Sequence, residues 1–263
     1  MSGRLLVGAG QEWTGGGVSP LAWCVLAPNP SAWTLEGTNT WIVGAPGDRC
    51  VVVDPGPLAD GHEVAILERL DQRNSQATAI LLTHGHWDHA EGAQELAERL
   101  GVPVFSRAAG TLTPEDRFEI GGADLRVIAT PGHTSDSVCF LVGDAVLTGD
   151  TVLGRGTSVV AHPDGRLGDY LSSLQALVRL CQDEAIDWLL PGHGPVIDQP
   201  AQVVDYYLRH RQERLGQVRD AMRAGATTVS EITDRVYWDV PIEVRRAAEA
   251  TVSAQIAYLE EAD

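Results

Sequence analysis

The sequence predicts a layered α/β or α+β domain followed by a small helical module. Three observations carry this reading. Short apolar, β-branched runs bounded by Gly or Pro alternate with segments of helical periodicity through about residue 200. The earliest runs follow one another without an intervening helix, which points to a mixed rather than a wholly parallel sheet. After Pro200 only helical periodicity remains.

In chain order, strands are expected at residues 22–27, 40–43 and 50–54. A helix at 63–70, a strand at 79–83 and a helix at 93–100 follow, then strands at 125–130 and 138–142. Residues 170–181 form a helix with Leu171, Leu174, Leu177, Val178 and Cys181 on one stripe, and 188–190 are a strand. Gly8-Ala9-Gly10 and Gly15-Gly16-Gly17 do not fit a phosphate cradle and are expected to be flexible loop. Beyond Pro200, helices are expected at 201–224, 229–238 and 241–260, broken by Gly225 and Pro241. The expected domains are therefore 1–200 and 201–263.

Composition narrows the function classes. Hydrophobic residues make up 44% and charged residues 21% of 263 residues, which excludes disordered and fibrous chains. Acidic residues number 36 against 19 basic ones, a net charge of −17, and every basic residue is arginine. Without lysine there is no Walker-type phosphate lysine, no Schiff-base lysine and no lysine general base. Residues 1–204 hold 25 acids and 11 arginines, net −14, whereas 205–263 hold 11 and 8, net −3. A generally basic nucleic-acid surface is thus disfavoured. Cys24, Cys50, Cys139 and Cys181 form no CxxC pair, so a zinc ribbon or dithiol motif is absent and reduced thiols are expected. No apolar run approaches the roughly 20 residues of a membrane span, and the apolar stretch within residues 1–7 is too short for a secretory signal. A cytoplasmic protein without a membrane partner is the expectation.

Five of the eight histidines fall in three strand-end contexts. Thr83-His84-Gly85-His86-Trp87-Asp88-His89 follows the apolar run Ala79-Ile80-Leu81-Leu82 and precedes a helical segment. Thr130-Pro131-Gly132-His133 and Pro191-Gly192-His193-Gly194 each put a histidine in a Gly/Pro turn after an apolar run, and Leu147-Thr148-Gly149-Asp150 places a carboxylate likewise. A lone histidine is usually a packed residue. His-x-His-x-Asp-His is hard to explain so, because clustered imidazoles and a carboxylate need a compensating cation. Five histidines and two aspartates exceed one tetrahedral zinc and suit two metals sharing a bridging carboxylate.

These residues resemble the metallo-β-lactamase superfamily, with Asp54 in Val51-Val52-Val53-Asp54-Pro55-Gly56, then His84-x-His86-x-Asp88-His89, His133, Asp150 and His193 in order. The resemblance implies a four-layer αββα fold of the α+β class. It also implies that His84, His86 and His133 hold one metal, that Asp88, His89 and His193 hold the second, and that Asp150 bridges. Asp54 would brace the ligand loops from behind; a strand-terminating turn before Pro-Gly is an equal reading of that residue. The chain looks more closely like the β-lactamase-like protein 2 subgroup, through Asn29-Pro30, Glu36-Gly37-Thr38-Asn39-Thr40-Trp41, Asp169-Tyr170, Ser173-Leu174 and the helical tail. In that subgroup the tail is winged-helix-like; here the strands of a wing are expected to be missing.

The expected cofactors are two divalent metal ions, Zn2+ first, with Mn2+ or Fe2+ as alternatives. The expected chemistry is attack by a metal-bridged hydroxide on a carbonyl or phosphoryl centre, with Asp88 orienting the nucleophile. Single-stranded RNA follows from the subgroup resemblance, against the acidity of residues 1–204. A small thioester, ester or lactone is the alternative, and a metal-stabilised binding scaffold a third. A homo-oligomer is left open. Arg209, Arg211, Arg214, Arg219 and Arg223 form the one basic stretch, whose plainer reading is a solvated helix face. The loop after Asp150 is the candidate substrate contact, through Arg155 and His162, the latter a candidate proton donor to the leaving group.

Overall fold

The computed structural model describes residues 12–59 and 61–262. Gly8-Ala9-Gly10 and the amino-terminal residues 1–7 lie outside them. Two sheets pack face to face. The first has six strands in the order β1 (Gly16–Ser19), β2 (Ala22–Leu26), β3 (Asn39–Val43), β4 (Arg49–Val53), β5 (Gln76–Leu81) and β6 (Val104–Phe105). Its first three pairings are antiparallel and its last two parallel, so the sheet is mixed as expected. The second runs β11 (Trp188–Pro191), β10 (Ala145–Gly149), β9 (Val138–Val142), β8 (Ala123–Ala129), β7 (Arg117–Ile120), with only β10 and β11 parallel. Helices α1 (His62–Gln72), α2 (Trp87–Ala90) and α3 (Ala93–Leu100) belong to the first half, and α4 (Leu167–Asp183) precedes β11.

Strand alternation builds the four layers. Trp41, Val43, Val51 and Val53 point between the sheets to meet Leu125, Val127, Phe140 and Leu147. Their neighbours Ile42, Cys50 and Val52 face outward against Ile66 and Leu70 of α1 and Leu96 of α3. On the far side, Cys139, Leu141 and Val146 meet Tyr170, Leu174 and Leu177 of α4. Both faces of each central strand are buried, which is why these strands read as continuous apolar runs rather than as polar alternation. The expected αββα arrangement is thereby realised.

Two expectations change. Gly16 and Gly17 are not loop but open the edge strand β1, paired with Cys24 and Trp23. Strands β6 and β7 were not legible, being two residues long and half exposed respectively.

The tail comprises α5 (Pro200–Arg223), α6 (Val229–Val236), a 3₁₀ turn (Ile242–Val244) and α7 (Arg245–Ala262). Among the described residues no strand follows β11, and so no wing is formed there. The first turns of α5 carry Val203, Val204 and Tyr207 into the same apolar cluster as α4. Farther on, Leu215 and Val218 join Ile232, Val236, Val252 and Leu259 around Leu167 and Leu171 of α4. The Tyr207 hydroxyl accepts the Leu153 N–H at 2.9 Å, tying α5 to the segment after β10. Among the described residues, no helix is long and apolar enough to cross a membrane.

Phe140 is fully buried between the sheets. Phe140→Ala is expected to destabilise the fold by about 3–5 kcal/mol, read as a lower urea midpoint at unchanged slope.

Candidate metal centre

The chain ends of β4, β5, β8, β10 and β11 meet at one rim of the sandwich, and each carries one of the residues singled out above. After β5, Thr83 is fixed from behind. Its N–H donates to Asp54 Oδ1 at 2.8 Å and its hydroxyl to Asp54 Oδ2 at 2.6 Å. Asp54 itself sits at φ 50°, a left-handed conformation that aspartate tolerates better than the valines before it. This turn aims the carboxylate across to β5 rather than along β4. The chain then delivers His84, His86, Asp88 and His89 within six residues, with Asp88 and His89 on the single turn of α2. Gly192, beside His193, is required by space. A Cβ there would lie 2.6 Å from Asp150 Oδ1 and 2.7 Å from the His89 ring.

The ring orientations are set by what each outer nitrogen meets. His89 Nδ1 faces Asp54 Oδ2 at 2.9 Å, His133 Nδ1 the Val159 carbonyl at 2.7 Å, and His193 Nδ1 the Gly37 carbonyl at 3.2 Å. His84 Nδ1 lies 3.1 Å from the Thr83 hydroxyl oxygen, whose own proton is given to Asp54. All four partners are acceptors, so each Nδ1 carries the proton and each Nε2 presents a lone pair inward. These inward nitrogens crowd together. His84 Nε2 and His133 Nε2 lie 3.0 and 3.1 Å from His86 Nδ1, and His89 Nε2 lies 3.2 Å from His193 Nε2. Lone pairs at such separations repel unless a cation lies among them.

The ligand atoms fall into three overlapping groups, each with its atoms within 4.8 Å of one another: His84, His86 and His133; Asp88, His89 and His193; and His84, His89 and Asp150. The Asp150 carboxylate spans the first two. Its Oδ1 is 3.5 Å from both His89 Nε2 and His193 Nε2, and its Oδ2 is 3.7 Å from His133 Nε2. Asp88 Oδ2 stands 3.3 Å from His193 Nε2. A donor set of imidazole nitrogens and carboxylate oxygens, with one carboxylate shared, suits a pair of divalent cations.

The electrostatics express the same demand. Burial alone would lower the His193 pKa, yet without a cation the charge of Asp150, its hydrogen bond and those of Asp88 push it up to about 10, so a second proton would stand at Nε2 where a bound cation would take its place. Burial would raise Asp150, but His193 and His89 hold its carboxyl well below the usual range. His84, wholly buried and crowded by His89 and His133, is driven well below its ordinary value.

Of the remaining candidates, Arg155 is engaged in an ion pair with Glu36 at 2.6 Å. His162 is exposed, beside the start of α4 and the end of α7 rather than among the seven ligand-type residues. Two kinds of residue had no role in the sequence. Asn39 donates to the Pro191 and Gly194 carbonyls at 2.9 and 2.8 Å and so fixes the turn carrying His193, a contact spanning some 150 residues. Between residues 153–159 and the tail lies a cavity of about 270 Å3, walled by Ala32, Trp33, Leu35, Val159, Tyr237 and Val244 among others. Its 153–159 wall also supplies Ser158 and the Val159 carbonyl against His133.

Two outcomes follow from this geometry. Asp54→Asn removes the charge that orders Thr83 and His89 and is expected to weaken metal affinity by about 10- to 100-fold, measured by competition with a chromophoric chelator. Behind Asp54, buried His62 donates from Nε2 to Thr40 Oγ1 at 2.9 Å, and burial lowers its pKa to about 4. The folded value lies below the unfolded value of about 6.5, so the unfolded chain binds the extra proton between these limits. His62 therefore costs stability as pH falls from about 6.5 to 4, on the order of 3 kcal/mol at the acid end. His62→Gln should flatten that part of the stability profile relative to the unsubstituted protein.

Comparison with known proteins gives the same picture. Residues 33–117 match the model of the metallo-β-lactamase superfamily. The chain is 33% identical over 241 residues to a β-lactamase-like protein 2 homolog of Caenorhabditis elegans, covering 85% of this chain and 79% of that protein. It is 32% identical to the Drosophila melanogaster homolog, covering 90% and 86%. An atrochrysone carboxyl ACP thioesterase of Aspergillus chevalieri is 31% identical over 88% of this chain and 78% of its own. A metallo-β-lactamase family protein from Thermus thermophilus shares the fold at TM-score 0.75 and 22% identity, covering 93% of this chain and 94% of that one. With the ligand constellation and these relatives together, the chain belongs to the metallo-β-lactamase superfamily, among its β-lactamase-like protein 2 homologs.

Proposed function

We propose that this protein is a hydrolase of small thioesters or esters with an apolar acyl group, working with two divalent metal ions, Zn2+ foremost. The observation that carries the substrate class is the cavity just described. Its walls are largely apolar, and one of them is the segment that holds His133. The Val159 carbonyl and the Ser158 hydroxyl of that segment meet the outer Nδ1 of His133. Charge supports the same choice, since residues 1–204 carry net −14 and a neutral acyl compound is not repelled by it. The basic stretch of α5 gives little to a polyanion. Arg209 is paired with Asp205, Arg223 with Asp220, Arg214 bonds the Val236 carbonyl, and Arg211 is buried. One relative is named a thioesterase. The four free cysteines suit a reducing cytoplasm.

Two divalent cations, held by His84, His86 and His133 and by Asp88, His89 and His193 with Asp150 between, would bring the pKa of water near neutrality and polarise the substrate carbonyl. The residues of this chain supply the rest. Asp54, the Val159 carbonyl and the Gly37 carbonyl hold His89, His133 and His193 in the tautomer that offers Nε2 inward. Asp150 faces both ligand groups at once. Asp88, 14% exposed, is the carboxylate that orients the attacking water and takes its proton.

The test joins metal content to a substrate panel of thioesters, esters, lactones, lactams and single-stranded RNA. Purified protein is expected to hold close to two equivalents of transition metal and to cleave thioesters or esters, with turnover lost in the His84→Ala, Asp150→Ala variant. Turnover that survives the double substitution, or RNA cleavage with acyl substrates untouched, overturns the reading.

A further inference from the structure

The cavity has a polar floor that hydrolysis of a neutral acyl compound leaves without a use. Arg211, on α5, lines it and is 2% exposed. One guanidinium nitrogen donates to the Ser158 carbonyl, and the Cζ lies 5.2 Å above the Tyr170 ring. Its Nε is buried with no acceptor among the described residues, and no carboxylate there pairs with it. Arg209 and Arg223 of the same helix do have such partners. Two further polar groups share this condition. The Tyr237 hydroxyl, at the cavity wall, and both amide atoms of Gln255, which is wholly buried, have no hydrogen-bond partner among the described residues. Gln255 stands one turn of α7 beyond Thr251, itself a lining residue, but lies behind the lining, where its amide faces the Tyr237 hydroxyl.

A buried charge without a counter-ion and a buried donor left unmet both oppose folding. Bracing of the Ser158 carbonyl leaves the Arg211 Nε–H unmet. A guanidinium N–H and a phenol O–H at the wall of one apolar cavity are donors suited to one anionic acceptor.

We propose that this cavity is a subsite for an apolar organic acid: the acyl group carries a carboxylate of its own, received by Arg211 with the Tyr237 hydroxyl. The substrate assignment rests on the acyl hydrolase reading above, whereas the binding of the acid does not.

Binding of 1-naphthoate and of the neutral 1-naphthamide is measured by calorimetry on the unsubstituted protein, on Arg211→Gln, and on the His84→Ala, Asp150→Ala variant. Naphthoate is expected to bind the unsubstituted protein and the metal-ligand variant alike, and Arg211→Gln about 10- to 100-fold more weakly. Naphthamide should bind no better to the unsubstituted protein than to Arg211→Gln. Equal naphthoate affinity in Arg211→Gln, or loss of binding in the metal-ligand variant, overturns the subsite. If Arg211→Gln does not fold, Tyr237→Phe replaces it, expected to weaken naphthoate by about 3-fold or more, and unchanged affinity overturns the proposal. Turnover separates the two readings. Arg211-dependent binding without hydrolysis of any ester removes the hydrolase reading and leaves the subsite. Hydrolysis of a dicarboxylic monoester and its neutral diester with equal KM removes the subsite and leaves the hydrolase.

Discussion

The fold is organised around inward-facing imidazole nitrogens that cannot share a space without positive charge between them. Four histidines each give their Nδ1 proton to an acceptor outside the cluster, and their Nε2 lone pairs have nowhere else to point. The acceptors come from distant parts of the chain. Asp54 ends β4, Gly37 lies before β3, Val159 lies beyond β10, and Thr83 follows β5. Holding the four rings therefore requires both sheets in register at one rim. The face-to-face packing of Trp41, Val53, Phe140 and Leu147 supplies that rigidity. A one-residue slip in any of these strands would turn a ligand away from the centre, because side-chain direction alternates along a strand.

Around this centre the protein accepts local cost. Asp54 adopts a left-handed backbone, and Gly132 sits at φ 137° where a Cβ would meet the backbone of Tyr170 at 2.3 Å. Each lies beside a turn that carries a ligand. Such positions persist because the packed strands on either side over-determine them. The same logic explains why Gly192 precedes His193, since only a missing side chain lets the Asp150 carboxylate approach His89 so closely.

The helical tail belongs to this organisation through its contacts. Tyr207 holds the segment after β10, and Arg211 bonds the Ser158 carbonyl beside the one that orients His133. The wall of the cavity and the support of a ligand are thus the same stretch of chain. The charge pattern follows suit. Acidity dominates residues 1–204, while Arg209, Arg211, Arg214 and Arg223 of α5 meet carboxylates, carbonyls or aromatic faces. Against the net charge of −17, Arg211 is the one buried arginine among the described residues.

Much of this was legible before any coordinates. The central strands could be read because burial on both faces makes them continuous apolar runs, and the clustered histidines and aspartates could be read because His-x-His-x-Asp-His at a strand end has no packing explanation. Edge strands β1, β6 and β7 could not, since short and half-exposed segments lack either pattern. The basic stretch of α5 read as a solvated face or a contact for polyanions, because sequence spacing does not tell which arginines meet a carbonyl or an aromatic ring in another element. By itself, then, the sequence determined the residue types at the centre and the strand ends that carry them, since ligand chemistry and hydrophobic periodicity are local. Only the tertiary structure decided which nitrogen of each histidine faces inward, that Asn39 fixes His193, and that Arg211 and Tyr237 line one cavity. Those facts depend on acceptors and walls brought together from far along the chain, and no local pattern encodes them.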